Sequence, residues 1–124
     1  MESQIELFKN LNKANTLTEI QEYVAKVLNI RGFSNESIQE KLLWLSEEVG
    51  ELIKAVRKFS PNSFVDPTHA SDYKNVEEEL ADVLILLIDV SNKLNMNLFE
   101  CLKIKEEMNL TRKWVKNPAQ KSDY

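Results

Sequence analysis

Glycine, proline and cysteine are all scarce here: the 124 residues hold two glycines, three prolines and one cysteine. That leaves little material for a turn-rich architecture, and the abundance of Leu, Glu and Lys points to an all-α fold. A lone cysteine excludes an internal disulfide. Cys101, among Phe99, Leu102 and Ile104, reads as a small buried hydrophobe in a reducing compartment. No dense block of Lys and Arg accompanies the formal charge of −4, which argues against a nucleic-acid polymer as partner. The longest apolar run, Val83–Ile88, is far too short to span a membrane, and Met1–Glu6 carries neither the basic patch nor the apolar stretch of an export signal. The expectation is a soluble, cytoplasmic protein with no membrane partner. The only histidine, His69, lies in a proline-containing stretch and is expected to face solvent. Without Glu-x-x-His pairs, a ferritin-like di-iron centre lacks its nitrogen ligands.

What is present is a hydrophobic content of 43%, enough for one domain over residues 1–124 with a single core. Residues 1–15 form a short amphipathic N-terminal arm. Four helices are predicted at about 18–31, 37–59, 75–94 and 98–114. Thr16 with Glu19, or Thr18 with Gln21, starts the first; Ser37 with Glu40 starts the second, and Asn97 with Glu100 the fourth. Gly32 and Pro61 are natural stops. The stretch 60–74 is a loop longer than a compact bundle needs, either a lid over a substrate or a tolerated surface insertion. The whole reads as a four-helix-bundle-like domain.

Two acidic groups stand out within this frame. Glu47, Glu48 and Glu51 lie in Leu45–Leu52, and Glu79 with Asp82 lies in Glu78–Leu84. Residues three apart share a helix face, so Glu48 pairs with Glu51 and Glu79 with Asp82. At about 100° per residue, the second helix has an apolar stripe of Leu45, Val49, Leu52 and Val56, with Glu48 beside it between Trp44 and Ala55. The third helix has a stripe of Val76, Leu80, Val83, Leu84, Leu87, Val90 and Leu94, and Glu79 projects between Val90 and Leu86. A single Glu-x-x-Glu is usually a solvated surface pair. Here both inner acids are hemmed by apolar residues, with no Lys or Arg at neutralising helical spacing. Two such helices side by side bring four carboxylates together, which requires shifted pKa values or a bound cation. Oxygen ligands alone select a hard ion, Mg2+ or Mn2+.

The run Glu47-Glu48-Val-Gly-Glu51, 27 intervening residues, then Glu79-Leu-Ala-Asp82, resembles the signature of the MazG-like, all-α nucleoside triphosphate pyrophosphohydrolases. Lys105, Asn109 and Arg112 reproduce a downstream Lys, Asn, Arg pattern of that group, and on a fourth helix reaching residue 114 they would share one face. The resemblance spans about residues 18–114. It implies Mg2+-dependent conversion of a nucleoside or deoxynucleoside triphosphate to the monophosphate and pyrophosphate. Glu48, Glu51, Glu79 and Asp82 would be metal ligands, and Glu48 or Glu51 the base that activates water. Lys105, Asn109 and Arg112 would face phosphate or sugar. Trp44 either stacks on the base or simply packs, and Trp114 is expected to anchor the end of the last helix. The pattern departs at Lys58, where dCTP-preferring relatives carry an aromatic residue.

Other functions stay open on the sequence. A dUTPase-like or phosphoribosyl-ATP-directed pyrophosphohydrolase uses related chemistry, and a non-catalytic helical partner protein would hold only a structural ion. The third helix is apolar nearly all round at Val83–Ile88. If Val83, Leu84 and Leu87 face the core, Ile85 and Leu86 point outward and call for a second subunit. The resemblance likewise implies a homodimer or homotetramer.

Overall fold

The computed structural model describes residues 2–69 and 73–118, and every regular element among them is helical. Five α-helices follow in order: α1 (Gln4–Lys9), α2 (Leu17–Ile30), α3 (Ile38–Phe59), α4 (Tyr73–Lys93) and α5 (Leu98–Asn109). The N-terminal arm thus contains a short helix of its own, started by a capping box between Ser3 and Glu6. Of the two starts open for α2, Thr16 with Glu19 forms the box, which frees Gln21 for other work. Ser37 and Asn97 accept from the backbone N–H of Glu40 and Glu100 to begin α3 and α5. Gly32 ends α2 with φ of 88°, a left-handed turn in which the Phe33 N–H reaches back to the Leu28 carbonyl at 2.8 Å. Asn95 takes the same conformation after α4 (φ 56°), and Met96 N–H bonds the Ser91 carbonyl. The described part of the expected loop, residues 60–69, contains a 3-10 turn at Pro67–His69, and α4 already begins at Tyr73. The expectation for the His69 side chain lies outside the described residues.

The core sits where α2 crosses α4. Val24 and Leu28 pack on Ile88, which is fully buried, with Ile20, Tyr23, Phe33, Ile85 and Leu98 around them. α3 and α4 form an antiparallel hairpin, because Lys41 meets Asp89 near one end while Glu48 meets Glu79 and Asp82 farther along. Lys41 is almost wholly buried; its ammonium donates to Asp89 Oδ2 at 2.7 Å and to the Phe33 carbonyl at 3.1 Å. Charges that deep are tolerated only when paired and hydrogen-bonded. A second polar staple is Gln21. Its Nε2 donates to Asn92 Oδ1 and the Met96 carbonyl, its Oε1 accepts from Leu98 N–H at 2.7 Å, and Asn92 Nδ2 returns a bond to the Gln21 carbonyl. One buried amide therefore ties α2 to the turn between α4 and α5.

Several expected positions are corrected. The hairpin face of α3 is centred on Lys41, Glu48 and Ala55, with Trp44, Leu45 and Leu52 beside it, while Val49 and Val56 are exposed. On α4, Val90 of the expected stripe is buried and Val76 and Val83 are half-buried, but Leu80, Leu84, Leu87 and Leu94 are exposed, while Leu86, expected to point outward, is buried and Ile85 packs on the core. The reason is that α4 is wrapped on two sides, by α3 and by α2, so its inward arc is wider than one stripe. Cys101 is exposed rather than buried, and Trp114 is also exposed, not an anchor. Helix α5 ends at Asn109, so Arg112 lies beyond it and does not continue the face of Lys105 and Asn109. Among the described residues no helix is long and apolar enough to cross a membrane.

Replacing Gln21 by Met keeps the side chain's length but strands the Met96 carbonyl and the Leu98 N–H. Each buried orphan costs about 1–3 kcal/mol, so Gln21→Met is expected to destabilise the fold by roughly 3 kcal/mol. Urea denaturation followed by circular dichroism measures this, and a loss below about 1 kcal/mol would remove the staple from the structure's supports.

Candidate functional site

The hairpin register sets the site. Lys41 and Glu48 are seven residues apart on α3, as are Asp82 and Asp89 on α4. Seven residues are about two turns, or roughly 10.5 Å, so with antiparallel helices the Lys41–Asp89 contact brings Glu48 opposite Asp82. Glu79, one turn before Asp82, joins them. One carboxylate oxygen from each of Glu48, Glu79 and Asp82 lies within 4.8 Å of the others. Glu48 and Glu79 are half-buried between the helices and Asp82 is exposed at the rim.

The electrostatics of this group are unfavourable by construction. Desolvation between the helices, then a hydrogen bond with Glu79, then repulsion from Asp82, Glu79 and Glu47 push the Glu48 carboxyl up from 4.5 to about 7. Glu79 Oε2 is sealed from solvent and has no hydrogen-bond partner. No lysine or arginine among the described residues forms a salt bridge with these acids, since Lys41 is spent on Asp89 and Glu36. Three converging carboxylates, Glu79 with one oxygen unpartnered, and a Glu48 carboxyl pushed up by desolvation and by its acidic neighbours fit a hard divalent cation.

Beside the carboxylates opens a cleft of about 190 Å³, lined by Leu28, Arg31, Phe33, Trp44, Glu48, Asp82, Ile85, Leu86 and Asp89. Trp44 is held edge-to-face by Phe33 with ring centroids 5.1 Å apart. Arg31 Nε donates to Gln4 Oε1 at 2.6 Å, so α1 steadies the arginine at this cleft.

Other expected site residues are placed apart. Glu51, one turn after Glu48, is exposed and falls outside the trio. Lys105 is exposed on α5, and Asn109 closes that helix with Oδ1 buried and without a partner. The Arg112 guanidinium stands 5.6 Å from the centre of the Trp114 ring. None of these three lines the cleft. Sequence reasoning missed Arg31, Phe33, Lys41 and Asp89. For Lys41 there was a signal: it shares the heptad line of Glu48 and Ala55 and so faces the same neighbour.

A comparison with curated proteins gave no match. Against protein families, residues 33–109 match the MazG nucleotide pyrophosphohydrolase domain, a span covering Phe33, the carboxylate trio and α5. That stretch is more than half of the 124 residues, and the chain belongs to the MazG nucleotide pyrophosphohydrolase domain family.

Proposed function

We propose that this protein hydrolyses a nucleoside or deoxynucleoside triphosphate to the monophosphate and pyrophosphate, using Mg2+ or Mn2+. The observation that carries the reading is the convergence of the Glu48, Glu79 and Asp82 carboxylates within 4.8 Å across the α3–α4 hairpin. These three would hold the ion, with Glu51 completing the set from the next turn. When bound, the ion supplies the positive charge that lets an acidic site accept a polyanion.

The chain's own residues do the rest. Lys105 and Arg112 neutralise phosphate oxygens, Asn109 bonds phosphate or sugar, and Trp44 bears on the base. Glu48 or Glu51 takes a proton from the water that attacks the α-phosphorus. The bond from that phosphorus to the α–β bridging oxygen breaks, and pyrophosphate leaves with the electron pair.

Subunit association belongs to the same reading. Leu42, Val49, Ile53 and Val56 lie about a quarter-turn from the hairpin face of α3, and Leu80, Leu84, Leu87 and Leu94 lie about as far from that of α4. In an antiparallel pair, equal rotations bring both stripes to one side of the hairpin, opposite α2. The α4 stripe, with Ser91, has the alternating three- and four-residue spacing of a helix-packing seam. A two-fold homodimer, or a homotetramer built from it, covers this face and completes a four-helix bundle.

Incubation with Mg2+ and the preferred triphosphate is expected to yield monophosphate and pyrophosphate; diphosphate with orthophosphate would refute the position of attack, and no product at all would leave only a structural ion site. Glu48→Gln and Asp82→Asn should each lower kcat/KM by at least about 100-fold while circular dichroism stays helical.

The pH dependence of stability has a definite sign. Folded Glu48 holds its proton up to about pH 7, whereas an unfolded glutamate releases it near 4.5. Between these values the folded state binds more protons, so this group's contribution is complete below about 4.5 and is lost as pH rises through 7. Thermal unfolding without metal should show Tm falling over that window; Mg2+ or Glu48→Gln should flatten the fall. A metal-free Tm that climbs from pH 5 to 8 counts against the carboxylate repulsion.

Light scattering at micromolar concentration should give at least twice the 14.4 kDa of one chain. Leu84→Lys with Leu87→Lys should shift it to one chain, and a monomeric wild type would rule out the association.

A further inference from the structure

Asp89 stands apart from the carboxylate trio. It is buried at 8% exposure, it lines the cleft with Trp44 and Phe33, and its Oδ2 is committed to the Lys41 ammonium at 2.7 Å. Its second oxygen, Oδ1, has no hydrogen-bond partner among the described residues and is not sealed off. The ammonium is in turn fixed by the Phe33 carbonyl, so the carboxylate cannot swing away without uncovering a buried cation. The cleft therefore presents an acceptor beside apolar and aromatic walls of Leu28, Ile85, Leu86 and Trp44, with Glu48 and Asp82 of the trio lining it as well.

At about 190 Å³ this space is below the roughly 300 Å³ at which pockets begin to enclose a whole small ligand. It suits one flat, partly apolar group, with the rest of the molecule outside along Glu48 and Asp82. In a nucleotide that group is the base. An ionised carboxylate oxygen accepts hydrogen bonds and donates none. It attracts an exocyclic amino group and repels the carbonyl that uracil and thymine carry at the matching ring position.

Resting on the hydrolase reading above, we propose that Asp89 is a specificity-determining residue selecting nucleotides whose base carries an exocyclic amino group over the keto pyrimidines. Lys41 is its positioning residue, holding the carboxylate's orientation by taking one oxygen and leaving the other to the cleft.

The test is kcat/KM with Mg2+ for dCTP and dATP against dUTP and dTTP, in the wild type and in Asp89→Asn. The wild type should favour the amino-bearing bases by at least about tenfold, because a keto pyrimidine sets a carbonyl against this oxygen and must shift in the cleft to bring its N3–H there instead. In Asp89→Asn the amide oxygen must turn to Lys41, which presents NH2 to the cleft, so the preference should collapse or reverse toward dUTP and dTTP. Equal wild-type kcat/KM for all four would overturn the proposal while leaving the hydrolase reading intact. So would a variant that slows every substrate by the same factor, the mark of a merely structural residue. Should Asp89→Asn fail to fold, or should no triphosphate be turned over, calorimetric binding of dCMP and dAMP against dUMP and dTMP to the wild type decides. Tighter binding of the amino-bearing pair supports the assignment, and equal binding refutes it.

Discussion

The contact between the Lys41 ammonium and the Asp89 carboxylate is the constraint on which the rest of the molecule depends. Moving α3 against α4 by one turn would leave both charges buried without a partner, at a cost of about 3–5 kcal/mol, comparable to much of a small domain's stability. Apolar packing alone tolerates sliding far better, because Leu and Ile side chains exchange neighbours at little cost. The pair therefore acts as a register lock. Its third contact, to the Phe33 carbonyl, extends the lock to the turn after α2 and so to one wall of the cleft.

Against that satisfied pair, the carboxylate trio two turns away is left deliberately incomplete in charge. The same hairpin neutralises one acid in full and lets three others converge without a cation of their own. A protein that sought stability alone would place a lysine at the Glu48 position as it does at Lys41. The two levels of the hairpin differ in how their charge is met: the acid at the first is closed by a lysine, and the three at the second have no lysine or arginine partner.

Much of this was legible in the residues. Helix starts followed from Ser37, Asn97 and Thr16 because capping is local chemistry, and the acidic spacing identified the family because the two motifs are rigid along their helices. What could not be read was which way the helices turn. A stripe drawn from Leu84 and Leu87 looks the same whether it faces the chain's own core or another molecule, and only the packing decides: Ile85 joins α2 at Ile88, and Leu86 is buried. Lys41 escaped for a related reason. A lysine on a helix is ordinarily solvated, and its partner stands 48 residues away on another element. The end of α5 was also misjudged, since the residues after Asn109 retain helix-forming character but Leu110, Trp114 and Val115 are left exposed rather than packed.

The bond from Gln4 to Arg31 carries a practical consequence. Through it the first turn of α1 reaches the side chain at the cleft mouth, and the Ser3–Glu6 capping box keeps that turn formed. A bulky tag joined ahead of Ser3 would hang on the helix that steadies Arg31 and strain its bond to Gln4. Purification handles are therefore better joined away from α1, so that the Arg31 side chain keeps the support that Gln4 gives it.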